Sequence, residues 1–426
     1  MLLSFISDFE KYFIKENNFS RVLRNKIFVK LWVIQILSQI TASMLNFILM
    51  IYIFERTGST IAVGVLLAFY ALPSIILGPF SGTVVDIWDR KKILVFSSLL
   101  QAILVLSYLG VSSKIWPIYT IIFFYSLCDE FFGPAIGATI PSVVKKESLP
   151  AANTLFTLTN QSSFIVGYLL GGILLRILKD QLFFPLAALC LVLAAGIAYL
   201  IPRWVLPKKE KFRINLVDFQ ERLVEGYRFI KDEPMVKFPI IVMALLQIVL
   251  GIGVIVLPSF SKQVLAISLA DSSFVVIVPG VIGALIGSLL MEKLIKTYRK
   301  RQLIIWGMFA ISLTLIILAS SGAIIRPPIL ISVPAVVALG VAYIFVSIPL
   351  QTALQEKTPL SIRGRVYGVL SMVITLAASL PSLVAATLVD IFGVTTVLVA
   401  VGLALLVLSL YIQKGKYAFV GNNHRT

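Results

Sequence analysis

The sequence predicts an all-α membrane protein with twelve transmembrane helices in two pseudo-symmetric halves of six. Composition is the first reason: of 426 residues, 59% are hydrophobic and only 13% are charged, which is too apolar for a soluble protein. The second reason is that the apolar residues form stretches of about 20, the length that a helix needs to cross a bilayer. Because these stretches are continuous and do not alternate with polar residues, they indicate helices and exclude a membrane barrel.

Twelve such stretches follow one another, separated by polar segments of which the one between the sixth and seventh is the longest. The first six cover residues 27–54, 60–86, 92–112, 115–144, 152–178 and 182–203. The second six cover residues 236–261, 270–291, 302–321, 328–354, 364–390 and 393–413. The chain is therefore expected to consist of a cytoplasmic arm, a six-helix bundle, a linker, a second six-helix bundle and a cytoplasmic tail, at residues 1–26, 27–203, 204–235, 236–414 and 415–426.

The linker carries apolar residues at helical spacing with charged residues between them. This pattern predicts a helix that lies along the inner membrane surface, and a merely solvated linker is the alternative. The two bundles also resemble each other, since residues 89–92 and 298–301 are basic runs at corresponding places. Two related halves that hold a substrate between them at mid-membrane are a common plan of transporters.

The positive charge of the chain follows the predicted topology. The formal net charge is +17, and 31 of the 37 Lys and Arg residues lie in the arm, the linker, the tail or loops on one side of the predicted helices. An excess of basic residues marks the cytoplasmic side of a membrane protein, so we expect both termini in the cytoplasm. This distribution indicates a lipid bilayer as the partner and argues against nucleic acid.

A charged motif joins the second and third stretches. It consists of a glycine, an acid one helical turn later and a basic run, namely Gly82, Asp86, Arg90, Lys91 and Lys92. We interpret it as a gating motif. It resembles the loop signature of the major facilitator superfamily, Gly-x-x-x-Asp-Arg-x-Gly-Arg-Arg/Lys, with Ile87 and Asp89 at the positions of the first Arg and the second Gly. The resemblance extends over about residues 25–414 and implies the twelve-helix fold of that superfamily.

Two adjacent acids, Asp129 and Glu130, lie midway along the fourth stretch, just before Gly133 and Pro134. An ionised acid near the bilayer centre costs on the order of 2.5–3.5 kcal/mol, so such residues usually have a function or a partner. We interpret one of them as the group that binds and releases a coupled proton. The alternative is a structural pairing with a buried basic or hydroxyl group.

Polar side chains within the apolar stretches are the candidates for a substrate cavity. Amides and hydroxyls are poorly satisfied in lipid, so they should face water, a ligand or another helix. The candidates are Gln35, Gln39, Asn46, Tyr125, Asn153, Thr157, Asn160, Gln161, Gln247, Tyr343, Ser347 and Gln351. Amides with few charges suit an amphipathic organic molecule better than a phosphate or a small anion, and hydrogen bonding between helices is the alternative.

The fifth stretch ends in Gly167-Tyr168-Leu-Leu-Gly171-Gly172. This run is similar to the end of the glycine-rich antiporter motif of drug exporters, with Tyr168 in place of Pro. Close helix packing through small residues is the alternative explanation. The segment from Phe131 to Asn153 resembles exporters of the macrolide-efflux and siderophore-export type, which implies proton-driven efflux of a drug-like compound across a bacterial plasma membrane.

Other function classes are disfavoured by what the sequence lacks. It contains no Gly-x-x-x-x-Gly-Lys-Ser/Thr loop for ATP, and its single histidine, His424, lies in the tail, so we expect neither an enzyme nor a cofactor. Cys128 and Cys190 lie in apolar stretches, which suggests no metal site. We expect a monomer that moves a small molecule with protons as the coupling ion. An importer of a metabolite and a lipid flippase of the same fold remain as alternatives, as does a channel or receptor.

Overall fold

The computed structural model describes residues 18–111, 114–178, 182–202, 216–359 and 362–414. Within these ranges every regular element is helical. Most of the predicted N-terminal arm, the first part of the linker at 203–215 and the tail from residue 415 lie outside the described residues.

Fourteen helices are named here in chain order. The first seven are α1 (Asn18–Arg24), α2 (Lys26–Thr57), α3 (Thr60–Ile87), α4 (Arg90–Ser107), α5 (Trp116–Val143), α6 (Leu149–Ile177) and α7 (Phe183–Tyr199). The linker contains α8 (Leu216–Asp232). The last six are α9 (Pro234–Gln263), α10 (Val278–Thr297), α11 (Lys300–Ile324), α12 (Ile329–Lys357), α13 (Arg363–Phe392) and α14 (Val394–Lys414).

The predicted membrane class is confirmed. Among the described residues, eleven helical segments are long and apolar enough to cross a bilayer, and α7 is a shorter apolar helix of 17 residues. At 1.5 Å per residue α7 is about 26 Å long, close to the roughly 30 Å of bilayer hydrocarbon. The membrane segment that contains α10 begins at Leu269, before the helix itself, and includes a π-helical turn at Ser273–Ile277.

Local chemistry explains where the first helices begin and end. The Asn25 side chain accepts hydrogen bonds from the backbone N–H groups of Ile27 and Phe28 at 3.0 and 3.2 Å, which caps the start of α2. Gly58 has a φ of 64°, a left-handed conformation that glycine adopts without strain. The connection between α2 and α3 can therefore be as short as two residues.

The contacts of the chain divide it into two compact units. The first comprises Met1–Leu49 and Phe69–Ile214, and the second comprises Met50–Ala68 and Asn215–Thr426. Two helices are shared, because the end of α2 and the first turns of α3 belong to the second unit. The predicted bundle boundaries thus stay a prediction.

Each unit has its own apolar core. In the first, Phe28 of α2 and Phe156 of α6 are buried and meet edge to face, with ring centroids 5.6 Å apart. In the second, buried residues such as Val256, Ile311 and Val346 join α9, α11 and α12. Large apolar side chains on the outer surfaces of the described helices remain exposed, as expected of a surface covered by lipid.

The linker helix α8 packs against the start of α13 within the second unit. Ile230 is buried there beside Val366. The side chains of Glu225 and Arg365 form an ion pair. A Cβ atom at Gly226 would lie 2.8 Å from the backbone oxygen of Arg365, so only glycine permits this approach. The described part of the linker is therefore attached to the second unit.

Candidate functional site

The two candidate acids lie at the middle of α5, inside the first unit. Asp129 is partly buried, and its Oδ1 atom has no hydrogen-bond partner among the described residues. The side chains of Tyr70 from α3 and Gln101 from α4 lie beside its carboxylate. Three helices of one unit thus surround this acid.

Hydrogen bonds to the backbone fix α5 at this point. Ser126 donates to the carbonyl oxygen of Tyr70 at 2.6 Å, which joins α5 to α3. The fully buried Gln101 donates to the carbonyl oxygen of Tyr125 at 3.4 Å, which joins α5 to α4. Both contacts occur within one turn of Asp129, so the position of the acid is set by its neighbours on both sides.

Glu130 is directed towards a different neighbour. Its Oε2 atom lies 3.6 Å from the position that a Cβ atom would take at Gly78 of α3. Successive residues of a helix point about 100° apart, so Asp129 and Glu130 face different surroundings. A bulkier residue than glycine at position 78 would contact the Glu130 carboxylate.

Several other polar atoms of the first unit are buried without a partner among the described residues. They include Oε1 of Gln101 and the hydroxyl oxygen of Tyr125, both near Asp129, together with Oδ1 of Asn46 and the hydroxyl oxygen of Tyr108. Leaving such a group unpaired costs about 1–3 kcal/mol, and native proteins usually satisfy it with an ordered water or a ligand. Together with Asp129, these atoms form what is called below the acid cluster.

Aromatic side chains border the acid cluster. Tyr168 of α6 lies near Tyr70. Its ring packs against Phe164 and Phe47, with centroids 4.3 and 5.1 Å apart. The surroundings of Asp129 therefore combine hydroxyl and amide groups with apolar rings, the mixture that binds amphipathic organic molecules.

The structure describes the side chains at the basic end of the gating motif. Asp89 caps α4 by accepting a hydrogen bond from the Lys91 N–H at 2.9 Å. Arg90 donates from Nη1 to the carbonyl oxygen of Ala138 on α5 at 2.6 Å, and the Lys91 ammonium lies over the Tyr199 ring at 4.9 Å from its centroid. Lys92 is exposed. Gly82 and Asp86 lie in α3, and the Asp86 side chain is outside the described part of the structure.

The candidate cavity residues of the first unit have different environments. Gln35 is buried and donates to the Phe156 carbonyl oxygen at 3.2 Å, a contact that joins α2 to α6. Asn46 donates to the Ala42 carbonyl oxygen of its own helix at 3.0 Å. Gln39 is partly buried. The four candidates on α6 are all exposed, namely Asn153, Thr157, Asn160 and Gln161.

The remaining candidates belong to the second unit. Gln247 of α9 and Tyr343 of α12 are partly buried, Ser347 is buried and Gln351 is exposed. Tyr343 packs against the apolar core of that unit. The described residues contain no group of three or more His, Cys, Asp or Glu side chains that could hold a metal ion.

The glycines of α6 are in close contact with α2. A Cβ atom at Gly167 would lie 2.5 Å from Cβ of Ser43, and one at Gly171 would lie 2.8 Å from the Phe47 ring. Gly172 is buried. Gly167 and Gly171 let the two helices pack more closely than any larger residue would allow.

Sequence reasoning missed two residues that lie beside Asp129, Tyr70 and Gln101. Gln101 had a detectable signal, because it is a single amide within the apolar sequence of α4. Tyr70 had none, because an aromatic residue in an apolar helix most often belongs to a core. Only the packing of α3 and α4 against α5 shows that both lie beside Asp129.

Comparisons with known proteins agree on one family. A family model described as Major Facilitator Superfamily matches residues 31–382. An uncharacterized MFS-type transporter of Bacillus subtilis, YfiS, is 27% identical over 372 residues, which cover 85% of this chain and 86% of the relative. Macrolide efflux protein A of Streptococcus pyogenes is 27% identical over 383 residues, covering 86% of this chain and 90% of the relative.

Solved structures show the same fold at lower sequence identity. The nucleoside transporter NupG matches with a TM-score of 0.69 at 15% identity, over 92% of this chain and 100% of that chain. A bacterial homologue of the human lysosomal transporter Spinster, in an inward-facing and unoccupied conformation, matches with a TM-score of 0.69 at 15% identity, over 93% and 96% of the two chains.

Proposed function

Since this chain belongs to the major facilitator superfamily and is a multi-pass membrane transporter of that family, we propose that it exports a drug-like, amphipathic small molecule in exchange for protons. It would act by alternating access in a bacterial plasma membrane, with both termini in the cytoplasm. Its partners would be the substrate, the coupling proton and the bilayer, and it would work as a monomer without ATP.

The observation that carries the proton coupling is the state of Asp129. An acid that served only structure would have its oxygens paired, because an unpaired ionised carboxylate is costly in a membrane. Oδ1 of Asp129 is buried and has no partner in the described residues. A proton bound to Asp129 would remove this cost in one state of the cycle. In the other state, a cationic or hydrogen-bonding substrate beside the ionised acid would remove it.

The neighbours of Asp129 support a reversible exchange. The side chains of Tyr70 and Gln101 lie beside the Asp129 carboxylate, and both can donate hydrogen bonds to it. A movement of α3 or α4 relative to α5 would change these contacts and with them the affinity of the site for a proton. A conformational cycle that opens the site first to one side and then to the other could therefore load and release a proton on each turn.

The direction of transport and the substrate class rest on the relatives and on the site. The relative from Streptococcus pyogenes described above is named for macrolide efflux. Amphipathic molecules also fit a site bordered by Tyr168, Phe164 and Phe47, which offers apolar rings beside polar groups. Export of such a molecule is therefore proposed in preference to import of a metabolite.

The test measures transport in proteoliposomes with and without an imposed pH gradient, using a labelled macrolide as the first probe. Asp129→Asn imitates the protonated acid permanently and should abolish concentrative transport while downhill flux continues. Glu130→Gln and the double variant are measured alongside. Asp232→Asn, which removes an exposed acid at the end of α8, is the matched control and should behave as wild type.

The outcomes separate the possibilities. If the double variant still concentrates the probe against its gradient, the coupled proton is not carried by this pair. Uptake driven in the inward direction would identify an importer. Movement of fluorescent phospholipid analogues, without movement of any soluble probe, would identify a flippase.

A further inference from the structure

The first turn of α3 is capped by a residue from a distant helix. The first N–H groups of a helix have no partner within it and are usually satisfied by a nearby side chain. Here Asp390, near the end of α13, accepts hydrogen bonds from the N–H groups of Thr60 at 2.8 Å and Ile61 at 3.0 Å. It also accepts one from the Ser59 hydroxyl at 2.6 Å. All of these residues belong to the second unit.

A carboxylate in this position is favoured by its charge. The N-terminus of a helix carries a partial positive charge, and an acid there is stabilised by it. Local residues provide only part of the cap, because the Ser59 hydroxyl accepts a weaker hydrogen bond from the Ala62 N–H at 3.3 Å. Asp390 therefore supplies the main cap of α3 although it lies some 330 positions later in the chain.

A second polar contact joins the same turn to α9. The hydroxyl groups of Thr60 and Ser259 are 2.6 Å apart, and both residues are almost completely buried. One hydroxyl donates to the other in this contact, so each group has a hydrogen-bond partner inside the protein. The start of α3 is thus bound to two helices of the second unit, α9 and α13.

Small residues bring the three helices together. A Cβ atom at Gly64 would lie 3.1 Å from Cβ of Ala386 and 3.2 Å from a methyl group of Leu383. A Cβ atom at Gly251 of α9 would lie 2.4 Å from the Ala378 carbonyl oxygen of α13. The contacts of residues 59–64 with α9 and α13 are called the α3 seam below.

The helix whose first turn forms the α3 seam also places Tyr70 beside Asp129. Residues up to Ala68 belong to the second unit, and α3 continues in the first unit from Phe69. Tyr70, Gly78 and Asp86 follow along the same helix. Because α3 is one helix from Thr60 to Ile87, a displacement of its first turn away from α9 and α13 can be transmitted towards Tyr70.

We propose that Asp390 is a positioning residue of the transport cycle. Asp390 holds the α3 seam closed in the conformation seen here, and it must release the first turn of α3 before this end of the protein opens. The seam lies at the end of α3 opposite the gating motif, which is the outer side in the predicted orientation. The proposal rests on the proposed function in that it requires alternating access, but it does not depend on the substrate or on protons.

A thiol probe in the seam tests the proposal without any substrate. Cys128 and Cys190 are replaced by alanine, and Ser259→Cys is introduced at a position that is completely buried here. The rate of its reaction with a water-soluble maleimide is measured in detergent, where both faces of the protein are accessible to the reagent. We expect Asp390→Ala to increase this rate at least tenfold, and Asp390→Asn, which keeps one acceptor oxygen, to increase it less.

Two controls distinguish opening of the seam from general loosening. Thr387→Ala removes a hydroxyl of α13 that donates to its own helix, and it should leave the rate at Ser259→Cys unchanged. Ser321→Cys, which is equally buried in α11, should react slowly with or without Asp390→Ala. An equal increase at both probe positions would mean that Asp390 is only a stabilising cap, and no increase at Ser259→Cys would also overturn the proposal.

Transport measurements keep this inference separate from the proposed function. If wild-type protein shows no pH-driven flux, the proposed proton exchange fails, while the labelling result for the α3 seam still stands. If wild-type protein transports normally, and Asp390→Ala neither speeds the labelling of Ser259→Cys nor slows transport, the proposed role of Asp390 is wrong while the proposed function stands.

Discussion

Gly167 allows the contact between α2 and α6 to be tested by adding one methyl group. In Gly167→Ala the new Cβ atom would lie 2.5 Å from Cβ of Ser43 and 2.9 Å from the Ile40 carbonyl oxygen. Carbon atoms in favourable contact are about 3.5–4.0 Å apart, so the two helices must separate by roughly 1 Å. The Ile40 oxygen is part of the backbone, which means that no side-chain rotation can relieve this clash.

The expected magnitude follows from two opposing effects. Overpacking of a tight contact costs about 1–3 kcal/mol, whereas alanine is favoured over glycine within a helix by roughly 1 kcal/mol. Gly196→Ala in α7 is the matched control, because nothing lies within 4 Å of its Cβ position. The difference between the two variants isolates the packing cost, about 1–3 kcal/mol.

The assay is thermal unfolding of the purified protein in detergent, followed by intrinsic fluorescence. At about 2–4 °C per kcal/mol for a unit of this size, Gly167→Ala should melt at least ~2 °C below Gly196→Ala. Downhill transport should fall in the same variant, since α6 also carries Tyr168 beside the acid cluster. Equal melting temperatures for the two variants would refute the close-packing explanation of Gly167.

Two further predictions concern the gating motif. Asp89→Ala removes the cap of α4 and should lower the free energy of unfolding by about 1 kcal/mol. Asp89→Ser should keep most of the stability of the wild type. Equal melting temperatures of the wild type and both variants would contradict the capping role. Asp86→Asn should strongly reduce transport at a normal level of membrane-inserted protein, because the sequence motif predicts a charged contact during gating. Transport at the wild-type rate by a well-expressed Asp86→Asn variant would show that this acid is dispensable.

Much of the candidate site could be named from sequence, but its connections could not. Asp129 and Glu130 stood out because ionisable groups are rare and costly in apolar helices. Their different neighbours, Gln101 for one and Gly78 for the other, depend on which helices lie beside α5 and at what rotation. Adjacent residues in one helix carry the same sequence signal, so only packing separates their roles.

The cavity candidates illustrate the same limit. A buried amide such as Gln35 and an exposed one such as Asn153 are indistinguishable as letters in an apolar stretch. The structure gives Gln35 a backbone partner on α6 and leaves Asn153 exposed. Hydrogen bonding to a neighbouring helix accounts for the amide nitrogen of Gln35, whereas its Oε1 atom is buried without a partner among the described residues. Both residues stay candidates for contact with substrate.

The sequence by itself determined the class of the protein, the number of its membrane helices and their approximate bounds, because the free energy of transfer into lipid is a sum over neighbouring residues of one segment. The tertiary structure alone decided which distant residues meet. Asp390 and Thr60 are joined at 2.8 Å, yet each looks like an ordinary polar residue at the end of a helix. Their contact depends on the packing of α3 against α13, which is a property of the whole chain and has no local signature.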